Sequence, residues 1–596
     1  MNPSFGPLGR GFGHPVRDRQ GLGPFTTLRE DPPVQFQYAW IGTSGGGKQV
    51  QFGQGLLGPA QVKPAFSGKG VMAIGEVQRA HNGIPLLPRT PFGKIVLLML
   101  RRIILAAVGC LLAIPAHAGA TNHAVLRERL ARALAEGDAP GAIWGAQVAS
   151  LRTGETWFET NPAVRLVPAS NTKLFTAALA LDRLGPARRL STSLRIEASP
   201  DASGKLAGPL RLVGGGDPSL SPRLHGGAWD EVWAPLVAAV KRAGIRRIDG
   251  GLLCDESRYS GPPFGSGWNW DDLVESYGAP VSALSAGDNV VSLIVTPGRA
   301  PGEPALIRME PLATAMSLEA SVVTSAKGGT GDLSLFRLPG DSRLRISGSI
   351  PAGSPAVTVE AAVPNPALWS GQLFQEALRK AGIAVSGPLR VIRSGESSGN
   401  GTWTELGSVA SPPVSELVRD MMKPSQNLHA QLLLLAVGAE SGATVVGSAA
   451  RTTEAAGLAA LPSLLRKAGI REQDVSLEEG SGLSRKNLVT ARALVRLLTF
   501  MNRHPAAAVW RDSLPIGGVD GTLRSRFTQP GLRGNVRAKT GSLRHVHSLS
   551  GYLTNSVGEP LVFSILVNGA VSQEGSPSAR EAMDAWVTIL AESSVK

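Results

Sequence analysis

Residues 168–173 read Pro-Ala-Ser-Asn-Thr-Lys, and the chain after them, through Leu184, places Leu174, Ala177, Ala178, Leu181 and Leu184 at helical spacing. A helix that opens at Ser170 sets Lys173 one turn further along the same face, within reach of the serine hydroxyl. A serine hydroxyl needs a base before it can act as a nucleophile, and a neutral lysine amine can serve. The positive end of the helix dipole and partial burial both push such a lysine towards neutrality. Taken alone, the same four residues also fit an exposed helix start with a solvated lysine.

Working outward, Ala124 to Glu136 is helical in pattern, and Ala142 to Leu151 and Thr156 to Glu159 read as two strands joined by a Thr153-Gly154 turn. From about 193 to 404 the pattern changes to short β-like runs separated by Gly, Pro and Ser, with one helix expected at Leu368 to Ala381. Helical patterns return at Val414 to Met422, Leu428 to Val437, Thr452 to Gly469 and Thr490 to Asn502. Strands at Ser548 to Leu553 and Leu561 to Val567 and a last helix, Ser578 to Leu590, close the chain. Two α/β segments flanking a β-rich insertion predict one catalytic domain, 119–192 with 405–596, closing over inserted residues 193–404.

Two more short motifs carry chemistry. In Lys423-Pro424-Ser425-Gln426-Asn427 the proline ends one helix before Leu428 begins the next, so Ser425 and Asn427 fall in a tight connection. A second hydroxyl there can relay a proton, and the carboxamide can hold a peptide amide; both residues also suit plain helix capping. The rival match, Ser398-Gly399-Asn400, sits in a Ser/Gly run and reads as linker. Val536-Arg537-Ala538-Lys539-Thr540-Gly541-Ser542 reads as a strand edge, with fixed charge expected on Lys539, a hydroxyl on Thr540 for a carboxylate, and close ligand approach at Gly541.

The order Ser-x-x-Lys, Ser-x-Asn, Lys-Thr-Gly resembles that of penicillin-binding proteins and serine β-lactamases. Leu212 to Pro218, Tyr277 to Leu284, Asp288-Asn289, Gly480 to Arg485, Gly518 to Leu523 and Ser548 to Tyr552 narrow the resemblance. Residues 120–592 are similar to the low-molecular-mass D-Ala-D-Ala carboxypeptidase/endopeptidase family of class C type. The long separation of Ser170 from Ser425 suits that family, whose extra domains are inserted there. The resemblance implies an α/β (α+β) catalytic domain of the penicillin-binding/serine β-lactamase type, an antiparallel sheet flanked by helices, plus β-rich inserted domains. It implies catalytic roles for Ser170 as nucleophile, Lys173 as base and Ser425 as proton relay. Asn427, Lys539, Thr540, Gly541 and Ser542 would bind substrate, with an oxyanion hole from the N–H groups of Ser170 and Ser542. Peptidoglycan peptides would be substrates and β-lactam antibiotics inhibitors, with no cofactor and no metal. Gln426, where the family often has an acid, and His545, where it often has a smaller residue, depart from the pattern. Rapid β-lactam hydrolysis and a non-catalytic peptidoglycan-binding scaffold are the competing functions, and the balance of carboxypeptidase and endopeptidase activity stays open, as does the oligomeric state.

The remaining features set the context. The net charge is +14, but residues 1–102 hold twelve Lys/Arg against four Asp/Glu, leaving about +6 on the rest, which argues against nucleic acid as a partner. Met99 to Arg102, the apolar run Ile103 to Ile114 and Ala116-His117-Ala118 form a secretory signal, 99–118, whose apolar run is too short for a stable membrane span. A periplasmic or extracellular location follows, with 1–98 read as a non-structural leader from an overextended start. Gly42-Thr43-Ser44-Gly45-Gly46-Gly47-Lys48 imitates a phosphate loop, but Gln49 stands where magnesium needs a hydroxyl. Of two cysteines, Cys110 lies in the signal, so only Cys254 would remain. His545 and His547 share a strand face without an acidic or thiol partner, too few ligands for a metal. Trp268, Trp270 and Asp271-Asp272 read as core packing plus a turn, with a sugar cleft as the alternative.

Overall fold

Strand Pro560–Asn568 is a nearly continuous apolar run, and its burial on both faces makes it the middle of a five-stranded sheet. The sheet order is Arg537–Leu543, Val546–Thr554, Pro560–Asn568, Ile143–Ser150, Thr156–Thr160, and every pairing is antiparallel. Residues from both ends of the chain therefore meet directly, Ile143 opposite Asn568 and Ser150 opposite Leu561. Alternate side chains go to opposite faces. Leu561, Phe563, Ile565 and Val567 pack on the helices 123–136 and Ala579–Glu592. Val562 and Leu566 pack on Thr172–Arg183, Val414–Met422 and Ala491–Met501. Helix Asn427–Glu440 is apolar nearly all round, as suits an element buried within that helical layer. The computed structural model describes residues 123–136, 141–311, 316–396, 401–440, 452–571 and 577–596. The leader, the signal, Cys110, the phosphate-loop imitation and Ser398-Gly399-Asn400 lie outside the described residues.

Between the two catalytic segments a second five-stranded sheet runs Leu389–Ile392, Leu252–Asp255, Leu210–Val213, Ser191–Ile196, Thr404–Ala410. Its first three strands are parallel, and Ser191–Ile196 pairs antiparallel with Thr404–Ala410, so the strands where the chain enters and leaves this region lie side by side. Three smaller sheets accompany it: Val290–Thr296 with its neighbours, Arg343–Pro351 with its neighbours, and Arg247–Ile248 between Ala384–Val385 and Lys205–Leu206.

Two expected elements differ. The inserted region is β-rich but carries a second helix, Trp229–Arg242, with Pro235 inside it. Pro235 is exposed, so the hydrogen bond it forfeits is on the solvent side, and Trp233 anchors the buried side against Phe374 at a ring distance of 5.4 Å. The helix expected over 452–469 is two, Thr453–Leu458 and Leu461–Lys467. Pro462 sits in the first turn of the second, where its missing N–H costs nothing.

Candidate active site

Ser170 stands in a single 3₁₀ turn, Ala169–Asn171, that runs straight into helix Thr172–Arg183. Ala169 is buried and left-handed at φ 48°. A β-carbon on Gly482 would fall 1.9 Å from the Ala169 carbonyl oxygen, so only glycine lets that loop close against the turn. The sheet grips the other side: Ser548 Oγ donates to the Pro168 carbonyl at 2.6 Å, and Asn171 Nδ2 donates to Ser550 Oγ at 2.9 Å. The hydroxyl is thus held on a turn clamped from both sides.

Lys173 is fully buried, and its Nζ lies 3.0 Å from Ser170 Oγ, 2.5 Å from Asn427 Oδ1 and 2.5 Å from the Ser481 carbonyl oxygen. Burial pulls its pKa down to about 7, against the opposing pull of the Glu479 carboxylate. An amine that loses its proton near neutrality, in contact with a serine hydroxyl, can act as the base that hydroxyl needs.

Ser425 is left-handed at φ 67° between helices Val414–Met422 and Asn427–Glu440. Lys423 fixes the connection, donating to Asp520 Oδ2 at 2.6 Å and to the Leu514 carbonyl at 2.8 Å. Asn427 joins two regions of the chain: its Oδ1 accepts from Lys173 and its Nδ2 donates to the Tyr277 carbonyl at 2.9 Å. Gln426 takes no part in the cleft; its Oε1 accepts from the Leu428 N–H.

Lys539 donates to Ser425 Oγ and to the Thr540 carbonyl, each at 2.8 Å, and is fully buried. The fixed charge expected on it from the sequence does not survive this burial. Burial, then repulsion from Lys173, lowers its pKa well below the usual range. The groups that face the cleft are its neighbours Thr540, Gly541 and Ser542, which with Ser170 and Ser425 line a cavity of about 260 Å³. Thr540 Oγ1 contacts Thr522 Oγ1 at 2.7 Å. A β-carbon on Gly541 would lie 2.2 Å from Ser548 Oγ and 2.9 Å from the Ser170 nitrogen, so the strand passes the turn at a distance only glycine permits. All eight residues singled out from the sequence therefore converge on one cleft or its immediate support.

Sequence reasoning missed Glu479. It is buried and accepts from the N–H groups of Ser481 and Gly482, each at 2.6 Å, from Asn487 Nδ2 at 2.6 Å and from Trp268 Nε1 at 3.1 Å. An acid immediately before Gly480-Ser481-Gly482 was the available signal. Trp268 thus packs inward, whereas the Trp270 side chain is exposed, edge-on to Phe336. Also missed were Arg526 and Arg580, which line the cleft beside His547. His547 Nδ1 lies 3.4 Å from Ser542 Oγ, while His545 Nδ1 lies 3.1 Å from the Ala570 carbonyl, so the two rings have separate partners.

A serine hydroxyl on a buried lysine amine, a second serine held by a second lysine, and a strand edge beside the first serine are what a serine acyl-transfer enzyme of the penicillin-binding fold requires. Residues 126–590 match the D-Ala-D-Ala carboxypeptidase 3 (S13) family, and the chain belongs to that family of serine peptidases, the low-molecular-mass penicillin-binding proteins. It is 33% identical over 525 residues to the D-alanyl-D-alanine carboxypeptidase of Actinomadura sp. (strain R39), covering 85% of this chain and 89% of that one. It is 29% identical over 412 residues to the D-alanyl-D-alanine carboxypeptidase DacB of Haemophilus influenzae, over 69% of this chain and 82% of the relative. The crystal structure of penicillin binding protein 4 from Haemophilus influenzae superposes with a TM-score of 0.65 at 27% identity, covering 76% of this chain and 96% of that chain. The same protein has been solved in complex with a β-lactam, to which this chain is similar at 25% identity and a TM-score of 0.62.

Proposed function

We propose that the chain removes or opens the D-alanyl end of peptidoglycan stem peptides through an acyl-enzyme on Ser170. The observation that carries this reading is the buried Lys173 amine, 3.0 Å from Ser170 Oγ with a pKa of about 7. In the acylation step Lys173 takes the Ser170 proton as Oγ bonds to the carbonyl carbon of the penultimate D-alanine. The N–H groups of Ser170 and Ser542 receive the oxyanion. As the C–N bond breaks, the departing amine gains a proton through Ser425, which Lys539 holds at 2.8 Å. Water then attacks the ester, restoring Ser170 and releasing the shortened peptide. Asn427 orients the acyl strand. The terminal carboxylate sits on the hydroxyls of Thr540 and Ser542 with Lys539 behind them, a charge-assisted arrangement.

The same site takes penicillins, which present a strained amide and a carboxylate in the same relation. Family membership supports a peptidoglycan substrate, and with the signal read at 99–118 it supports a periplasmic or extracellular location with a mature start near Gly119. Among the described residues no helix is long and apolar enough to cross a membrane. Labelled penicillin followed by peptide mapping tests the assignment: the label is expected on Ser170, and a label elsewhere, or none, overturns it. Matched peptides ending in D-Ala-D-Ala acid or amide test the carboxylate role; the amide is expected to be the poor substrate.

A further inference from the structure

One side of the cleft is more cationic than a departing alanine requires. Beyond Thr540 and Ser542 the cavity wall continues through His547, Arg526, Arg580 and Met583, and none of the described residues that line it is acidic. Arg526 is 8% exposed and lies bidentate on Asp584, its Nε 3.0 Å from Oδ1 and 3.2 Å from Oδ2. Arg580 has no hydrogen-bond or ion-pair partner of its own among the described residues. The neighbouring Glu581 is committed to capping the last helix, accepting from Ser578 N at 2.7 Å and from Ser578 Oγ at 2.9 Å. Among the described residues Asp584 pairs with Arg526 alone, while Arg580 feels Asp584 and Glu581 only at longer range and is left without a paired carboxylate at the cavity wall. Burial, followed by the charge of Arg526, lowers the Arg580 pKa against the opposing pull of Asp584 and Glu581. Burial and the two guanidinium groups also lower His547, so the ring is neutral at pH 7 and adds a hydrogen-bonding edge rather than a charge.

We propose that Arg580, backed by Arg526 and His547, forms a second carboxylate subsite on the leaving-group side of the cleft. It would bind a carboxylate on the side chain of the departing residue, in addition to the α-carboxylate held at Thr540 and Ser542. The proposal rests on the acyl-enzyme reading above and sharpens its substrate class. A D-residue whose side chain ends in a carboxylate, or runs on into a second acidic peptide strand, fills both subsites, whereas D-alanine fills one. The enzyme is thereby biased towards opening cross-links between acidic strands. Met583, nearly fully buried, is the one large apolar side chain among the described residues that line the cavity.

The test uses the full chain with acyl-D-alanyl peptides whose leaving residue is D-glutamate or D-aminoadipate, each beside its side-chain amide. The readout is the ratio of kcat/KM for acid over amide. A guanidinium–carboxylate contact in a partly desolvated wall should give a ratio on the order of tenfold for at least one side-chain length. Arg580→Gln should bring that ratio to about one, and Arg580→Lys should keep part of it, charge without the planar fork. Penicillin labelling of each variant reports that the fold and the acylating centre are intact. A ratio near one in the unmodified enzyme at both lengths overturns the proposal, as does a ratio that survives Arg580→Gln. So does an Arg580→Gln loss that falls equally on D-Ala-D-Ala itself, which would assign the cation to the α-carboxylate. If the unmodified enzyme neither takes penicillin nor cleaves any of these peptides, the fault lies with the acyl-enzyme reading.

Discussion

Around Ser170 the chain buries Lys173, Lys539, Asn171, Glu479 and Asn487, each in a network of hydrogen bonds. Around the sheet of Ser191–Ile196 and Leu210–Val213 it buries Leu194, Leu212, Leu252, Cys254, Trp233 and Phe374, with Arg211 on Asp255 as a tight ion pair at 2.6 Å. The thiol of Cys254 shows what that second environment does to an ionisable group: burial raises its pKa to about 12 and keeps it inert. In the first region desolvation is directed at two amines and brings one of them to a useful pKa; in the second it only stabilises packing. The same physical force tunes chemistry in one place and builds a scaffold in the other.

The comparison breaks most sharply under paired substitutions. Lys173→Met fills the space and removes the base, and should slow penicillin acylation on the order of 10³-fold while leaving the protein folded. Trp233→Ala, in the inserted region, should cost about 3–5 kcal/mol of stability and leave acylation by the folded protein near its normal rate. Denaturant unfolding and acylation kinetics on both variants decide it. A catalytic loss in the tryptophan variant as large as that in the lysine variant would show that the two regions are not separable.

A smaller effect is expected in the pH profile. Lys173 must be neutral to accept the Ser170 proton, so acylation should rise as pH rises through about 7. Glu479 opposes the fall in the Lys173 pKa, so Glu479→Gln removes a charge that favours the ammonium, and the acid limb should move to lower pH. Stability should follow the two buried lysines, Lys173 and Lys539. Both folded pKa values lie below that of an unfolded lysine; for Lys173 the unfolded chain binds more protons between about pH 7 and 10, and stability rises with pH across that window, with Lys539 adding in the same direction. Acylation rates across pH for both forms check the first point. An unmoved limb in Glu479→Gln would remove the carboxylate from this account.

The two regions were unequally legible in the sequence. The catalytic segments announce themselves because their strands and helices keep clean periods, as in Val414–Met422, where the structure keeps the expected ends. Ser170 and Lys173 were legible as a pair because a spacing of three at a helix start sets both side chains on one face. Helix Trp229–Arg242 was hidden by Pro235, whose tolerance depends on which side faces solvent, a fact of the tertiary structure. Glu479, Arg526 and Arg580 were hidden for a related reason. They act through space, over 250 residues from Ser170, and no local spacing ties an acid or an arginine to a distant serine. The charge state of Lys539 was also beyond reach, since burial sets it and a strand edge in sequence reads as solvated.

Where the two regions meet, the smallest effect is expected. Asp288 of the inserted region lies 3.2 Å from His429 Nε2 and 3.2 Å from Arg223 Nη2, and His429 is two residues beyond Asn427 on the same helix. Burial alone would raise the Asp288 pKa, but His429 and Arg223 more than reverse it and hold the carboxyl below its ordinary value. Asp217 and Asp420 are further carboxyl groups that His429 acts on. A carboxylate depressed in the folded state adds stability that is full above its unfolded pKa, near 3.9, and is lost as pH falls towards its folded value. Asp288→Asn should therefore cost about 1 kcal/mol at pH 6, a modest figure because Arg223 is 42% exposed and can turn to solvent. The difference from the unmodified protein should shrink progressively below about pH 4, where the unfolded chain's carboxyl takes up its proton while the folded one is still ionised. Asn427 keeps its bonds to Lys173 and the Tyr277 carbonyl, so acylation should slow by less than the tenfold that 1.4 kcal/mol would give. Unfolding curves at several pH values measure the first effect and acylation rates the second. A large acylation loss with little loss of stability would mean that the inserted region tunes the catalytic lysine through this joint, and the division drawn between the two regions would have to be redrawn there.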